Sequence, residues 1–278
     1  MRWLESRRQR KSLLNLRSIP GVLRLTVVTF LHASYFYLKL GGVKRVGNKW
    51  DESEASKLTE EQKVLVELVQ KSISFANRTT FFPCTPSIRF PVGMSGQRFR
   101  ALLHHLSNQL LDFQYLEIGV WQGSTANAVL RGNCQHALLI DNWSEFGGPK
   151  RKAKRRLERF IEANKVTLLD HDFKSISWSK KYACDLYFYD GAHDYNSHFE
   201  AMKFLNNLEF ENLILIVDDW NWENVKNGTL DGLKTQQVNL IYSFQVQTLS
   251  NEVKGRYSGW HNGTWIAIIS RQNAVPTR

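Results

Sequence analysis

Six carboxylates recur at one kind of place in this 278-residue chain. Glu117, Asp141, Asp172, Asp190, Asp218 and Asp219 each stand at or near the end of a short apolar run. A purely structural sheet has little reason to gather so many acids on one rim, because like charges raise the cost of ionising one another. Such a rim can accept hydrogen bonds from ligand hydroxyls, balance a cationic ligand, or hold a hard divalent ion through oxygen donors. His193, three residues past Asp190, adds an imidazole. Its ordinary pKa of about 6.5 suits proton transfer, and a plain helix-start role is the alternative.

The second chemical feature is a glycine turn, Glu117-Ile118-Gly119-Val120-Trp121-Gln122-Gly123-Ser124-Thr125. Apolar Tyr115, Leu116 and Ile118 precede it as a strand, and Ser124 to Arg131 follows as a helix ended by Gly132. Glycine at such a turn lets backbone approach a ligand, with free N–H groups aimed at it. Only two glycines are present, and Glu117 stands where a dinucleotide fingerprint has its first, so a dinucleotide is disfavoured. Asp141 comes 24 residues after Glu117, where a carboxylate can accept from ribose hydroxyls.

These residues need elements to carry them. Strands are expected at 115–118, 137–140, 166–169, 185–189, 213–217, 238–249 and 264–270. Helices are expected at 59–74, 97–111, 124–131, 150–165, 195–208 and 225–236. Short Ile/Leu/Val strands alternating with helices imply a parallel, doubly wound α/β sheet. The last two strands have no helix between them and suit an antiparallel pair. Ligands of such sheets bind at the carboxyl ends of the strands, where the six acids fall.

The E-x-G-x-x-x-G-S turn and the seven-strand pattern resemble the class I, Rossmann-like S-adenosylmethionine-dependent methyltransferases. Tyr189-Asp190-Gly191-Ala192-His193 and Val217-Asp218-Asp219-Trp220-Asn221-Trp222 are similar to the metal-dependent small-molecule and sugar O-methyltransferases of that class. The resemblance spans roughly residues 94–270 and implies S-adenosylmethionine bound by Glu117, Gly119, Gly123, Ser124, Asp141, Asn142, Trp143 and Asp172. It also implies Mg²⁺ on Asp190, Asp218 and Asp219, with His193 and Asp190 in catalysis. The activity implied is methylation of a small hydroxylated acceptor. A metal-free methyltransferase and a membrane-associated, non-catalytic S-adenosylmethionine-binding module stay open as alternatives. Phe146, Trp220, Trp222 and Trp260 are acceptor-pocket candidates beside Trp143, and core packing explains each equally well.

Composition narrows the partners. The formal net charge is +11, yet residues 1–50 carry +10 of it and the other 228 residues only +1, so the core lacks the footprint of a nucleic-acid binder. The chain divides into a basic, apolar arm (1–50), a helix with a Pro-rich cover loop (51–96) and the main domain (97–278). Within residues 1–46 the uncharged run 25–38 is shorter than the ~20 apolar residues of a membrane span. It fits an interfacial helix on anionic lipid, a targeting segment or a packed helix. A cytoplasmic location, membrane-peripheral if that arm meets lipid, is the expectation, and self-association stays open. Three cysteines, Cys84, Cys134 and Cys184, fit no metal spacing and read as reduced thiols.

Overall fold

A computed structural model describes residues 43–48, 57–78, 93–249 and 259–272. The run 25–38, the Pro-rich segment with Pro83, Pro86 and Pro91, and Cys84 lie outside the described residues. Ten strands and six α-helices follow in order: β1 (Val43–Asn48), α1 (Glu60–Arg78), α2 (Gln97–Gln109), β2 (Phe113–Ile118), α3 (Ser124–Leu130), β3 (Cys134–Ile140), α4 (Lys150–Glu162), β4 (Val166–Leu169), β5 (Tyr182–Ala183), β6 (Leu186–Tyr189), α5 (Tyr195–Lys203), β7 (Leu208–Glu209), β8 (Asn212–Asp218), α6 (Glu223–Lys234), β9 (Val238–Thr248) and β10 (Thr264–Arg271).

Eight strands form one sheet in the order β1-β9-β10-β8-β6-β2-β3-β4, and β5 pairs with β7 in a small parallel ribbon. The five strands β4, β3, β2, β6 and β8 are parallel, while β10 runs antiparallel to both β8 and β9. The seven expected strands are present, with the last two as the antiparallel pair. The eighth, β1, which no expected strand covers, pairs antiparallel with β9. The expected helix 195–208 ends at Lys203 in a 3₁₀ turn, Phe204–Asn207.

Period-two alternation sends each central strand's side chains to two separate cores. Ile214 and Ile216 join one with α1 to α4, where Phe99, Leu102, Leu106 and Leu157 are buried. Leu213, Leu215 and Val217 join the other with α5 and α6, through Met202, Val225 and Leu233. Burial of both faces explains why these strands read as unbroken apolar runs.

From β2 the chain winds outward through β3 to β4, then returns to place β6 on β2's other side. The reversal opens a crevice beyond the carboxyl ends of β2 and β6, the usual ligand position in open α/β sheets. Gly119 and Asp190 lie at those two ends.

Candidate functional site

The glycine turn is built by close approach. Gly119 has φ +92°, and a Cβ there would lie 1.9 Å from the Asp190 carbonyl oxygen. Its N–H donates to the Ile140 carbonyl at 3.0 Å, and the Asp190 N–H donates to the Ile118 carbonyl at 2.8 Å. The turn therefore locks β2 to both neighbours. Gly123 has φ +72°, and a Cβ would press on Leu157 of α4 at 3.2 Å. The Arg156 guanidinium donates to the Gln122 carbonyl at 2.7 Å, fixing the same turn from that helix.

Glu117 lies beneath the turn, fully buried. Tyr115 Oη donates to its Oε2 at 2.7 Å and Thr125 Oγ1 to its Oε1 at 2.5 Å. Burial pushes this carboxyl up to about 8 against the pull of those two donors. Asp141 organises the next loop. Its Oδ2 accepts from the Trp121 N–H at 2.7 Å and its Oδ1 from the Trp143 N–H at 2.6 Å. Trp143 then donates its indole N–H to the Trp121 carbonyl at 2.9 Å. Trp121, Trp143 and Phe146 all have positive φ, 45°, 49° and 49°. Left-handed backbone at three aromatic residues is strain of the sort concentrated at ligand sites.

A cavity of about 700 Å³ opens over the turn. Gly119, Ser124, Asp141, Asn142 and Asp172 line one part of it, and Asp190, His193, Asp218 and Asp219 line another. Glu117, Gly123 and Trp143 do not line it, although Glu117 reaches it through Thr125. Among the aromatic candidates Phe146 and Trp222 face the cavity. Trp220 instead stacks on Trp265 at 5.0 Å, and Trp260 is fully buried. Asp172 accepts from the Lys174 N–H at 3.0 Å as the cap of a 3₁₀ turn. Asp170, the neighbouring alternative, is paired with Lys150.

The acidic end is the electrostatic centre. Burial, then Asp218 and Asp219, push the Asp190 carboxyl well up; burial and Asp219 do the same to Asp218. Burial also acts on Asp219, but His193 and Asn262 outweigh it and hold this carboxylate below the usual range. His193 Nε2 lies 2.6 Å from Asp219 Oδ2, and Asn262 Nδ2 donates to Asp219 Oδ1 at 2.6 Å. Burial lowers the imidazole pKa, and contact with Asp219 more than reverses this. One donor atom each from Asp190, His193 and Asp219 lies within 4.8 Å of the others, a spacing open to a metal ion.

The sequence reading missed Asn262, which looks like mere turn chemistry in Asn262-Gly263-Thr264. The antiparallel β10–β8 pairing brings that turn over the end of β8, where Thr264 faces Asp218 in register. Asn221 completes the support. Its N–H donates to the Asn262 carbonyl at 2.9 Å and its Nδ2 to Thr248 Oγ1 at 2.7 Å.

Comparison with known proteins adds no family. No family model and no curated protein matches the sequence. Among solved structures, the chain is similar to the O-methyltransferase TomG from Streptomyces achromogenes, at 15% identity, TM-score 0.47, 77% of this chain and 100% of that one. An O-methyltransferase from Bacillus cereus shares 15% identity at TM-score 0.45, over 80% of this chain and 96% of that one. A putative RNA methyltransferase from Pyrococcus horikoshii shares 9% at TM-score 0.46, over 80% and 100%. At this level the likenesses assign the chain no activity or substrate.

Proposed function

We propose that this protein is an S-adenosylmethionine-dependent methyltransferase acting on a hydroxyl of a small molecule, with a divalent cation assisting. One observation carries the reading: a single cavity joins the strained glycine turn and Asp141 to a half-buried carboxylate–imidazole cluster. Its volume of about 700 Å³ falls within the ~300–1,000 Å³ of small-molecule sites. The excess of acids suits a cationic sulfonium cofactor.

In this reading Gly119 and Ser124 would hold the cofactor's aminoacyl end, Asp141 its ribose and Asp172 its adenine. Bound there, the cofactor would supply its methyl group to an acceptor oxygen, the C–O bond forming as the C–S bond breaks and the thioether leaves. Positioning supplies much of the acceleration. The hydroxyl proton would pass to a carboxylate of the cluster; without an ion, burial and mutual repulsion raise the proton affinity of Asp190 and Asp218. A divalent ion at the cluster would fix the hydroxyl and lower its pKa. The donors fit one, since Asp190 and Asp218 meet no side-chain donor or cation among the described residues and Asp218 accepts only from the Asp219 backbone N–H.

The 2.6 Å contact of His193 with Asp219 favours a second reading, in which the imidazole takes the proton and no ion is needed. Titration calorimetry with S-adenosylmethionine, in Mg²⁺ or Mn²⁺ and then in chelator, tests both beside an Asp141→Ala variant. Binding that the variant loses supports the cofactor site, and absence of binding under every condition refutes it. Methyl transfer that survives chelation removes the ion from the reading.

A further inference from the structure

We propose that His193 is a ligand of the cation, completing a nitrogen–oxygen–oxygen set with Asp190 and Asp219. The ion is then a divalent metal of the Mn-to-Zn series and not Mg²⁺. This rests on the metal-assisted reading above, and it takes His193 out of the general-base role.

Three observations carry it. First, geometry selects His193 over Asp218: the donor atoms that converge within 4.8 Å belong to Asp190, His193 and Asp219. Asp219 has φ +55°, a left-handed kink directly after β8 that parts its direction from that of Asp218. Second, the imidazole is held in place. Asn262 occupies Asp219 Oδ1, leaving Oδ2 beside His193 Nε2, and the ring packs edge-on against Trp222 with centroids 4.6 Å apart. Support of ligands by surrounding hydrogen bonds is a general feature of metal sites. Third, carboxylates outnumber cationic side chains in the pocket lining. Asp218 is only 4% exposed, lines the cavity and meets no side-chain donor or cation among the described residues. Lys174, which also lines the cavity, lies 4.0 Å from Asp172.

Donor chemistry then names the metal class. Mg²⁺ and Ca²⁺ take oxygen ligands, whereas mixed imidazole–carboxylate sets suit first-row transition ions. Donors about 2.1 Å from such an ion and at right angles stand ~3 Å apart. His193 Nε2 and Asp219 Oδ2 need only a small separation to reach that.

The test uses the full chain and Mn²⁺ as the probe. Loss of the free Mn²⁺ electron paramagnetic resonance signal gives stoichiometry and affinity, and electron spin-echo modulation reads nitrogen bound directly to the ion. One Mn²⁺ per chain is expected, with ¹⁴N modulation that changes on ¹⁵N-histidine labelling and disappears in His193→Gln. Affinity should fall tenfold or more in that variant, and Mg²⁺ should displace Mn²⁺ only at a hundredfold excess or above. The labelling experiment needs no substitution, so the proposal stays testable if the variant fails to fold. Mn²⁺ bound without histidine nitrogen modulation overturns the proposal and leaves the metal-assisted reading standing. No Mn²⁺ bound at millimolar concentration overturns both.

Discussion

Glu117→Gln tests the electrostatics beneath the glycine turn. The Glu117 carboxyl is fully buried, and desolvation pushes it from 4.5 to about 8. A carboxyl with a folded pKa above its unfolded value stabilises the fold fully only while protonated in both states. That contribution is lost as pH rises from the unfolded pKa toward the folded one. Each pH unit in this window costs ~1.4 kcal/mol, so the whole loss is about 5 kcal/mol. Glutamine is close to isosteric and does not ionise. The hydroxyls of Tyr115 and Thr125, which both donate to Glu117, can donate to its oxygen or accept from its amide.

The assay is urea unfolding at pH 5 and pH 8.5 for both proteins, taking the difference of the two pH effects. The other titrating groups are common to both and cancel. Wild type should lose about 3–5 kcal/mol more than Glu117→Gln between the two pH values, the lower end allowing for residual structure in the unfolded chain. Parallel behaviour, within about 1 kcal/mol of the resolution of such extrapolations, would mean that Glu117 is ionised throughout. The two hydroxyl donors would then outweigh its desolvation.

Gly119→Ala combines positive φ with a Cβ 1.9 Å from a carbonyl oxygen; it should cost about 3 kcal/mol or more and lower the melting temperature by roughly 6–12 °C. Gly147→Ala, at φ +77° with nothing within 4 Å of the added Cβ, is its control; scanning calorimetry should show a loss of about 1 kcal/mol, and equal losses would refute the steric account. Asn262→Asp replaces the amide donor of Asp219 with a second buried acid; it should cost about 2–4 kcal/mol at neutral pH and recover much of that below pH 4 in urea unfolding. Asp218→Asn should instead stabilise the chelated protein by about 1–3 kcal/mol at pH 8 and by little at pH 4. The sign follows from the raised Asp218 carboxyl, whose stabilising protonated form is lost as pH rises. An unchanged or lower stability at pH 8 would show that this carboxylate is already compensated.

The parts of this site that local rules could reach and those they could not differ in sequence separation. Glycine at 119 and acids at 141 and 190 were legible because a turn that must touch its neighbour's backbone admits only glycine, and strand ends of a parallel sheet share one rim. Adjacency misled elsewhere. Asp218 and Asp219 look interchangeable in sequence, yet Asp219, with positive φ, meets His193, while Asp218 lines the cavity outside the converging set. Trp143 is among the residues expected to bind the cofactor, but its indole N–H is taken by the Trp121 carbonyl, so it braces the loop from within. Asn262 could not be found by spacing, because 43 residues and an antiparallel crossing separate it from Asp219. The same pairing that sets its distance of 2.6 Å fixes which Asp219 oxygen remains for His193. The turn before β10, which carries none of the six acids and is seated by the β10–β8 pairing, therefore governs how the acidic end of the cavity presents its donors.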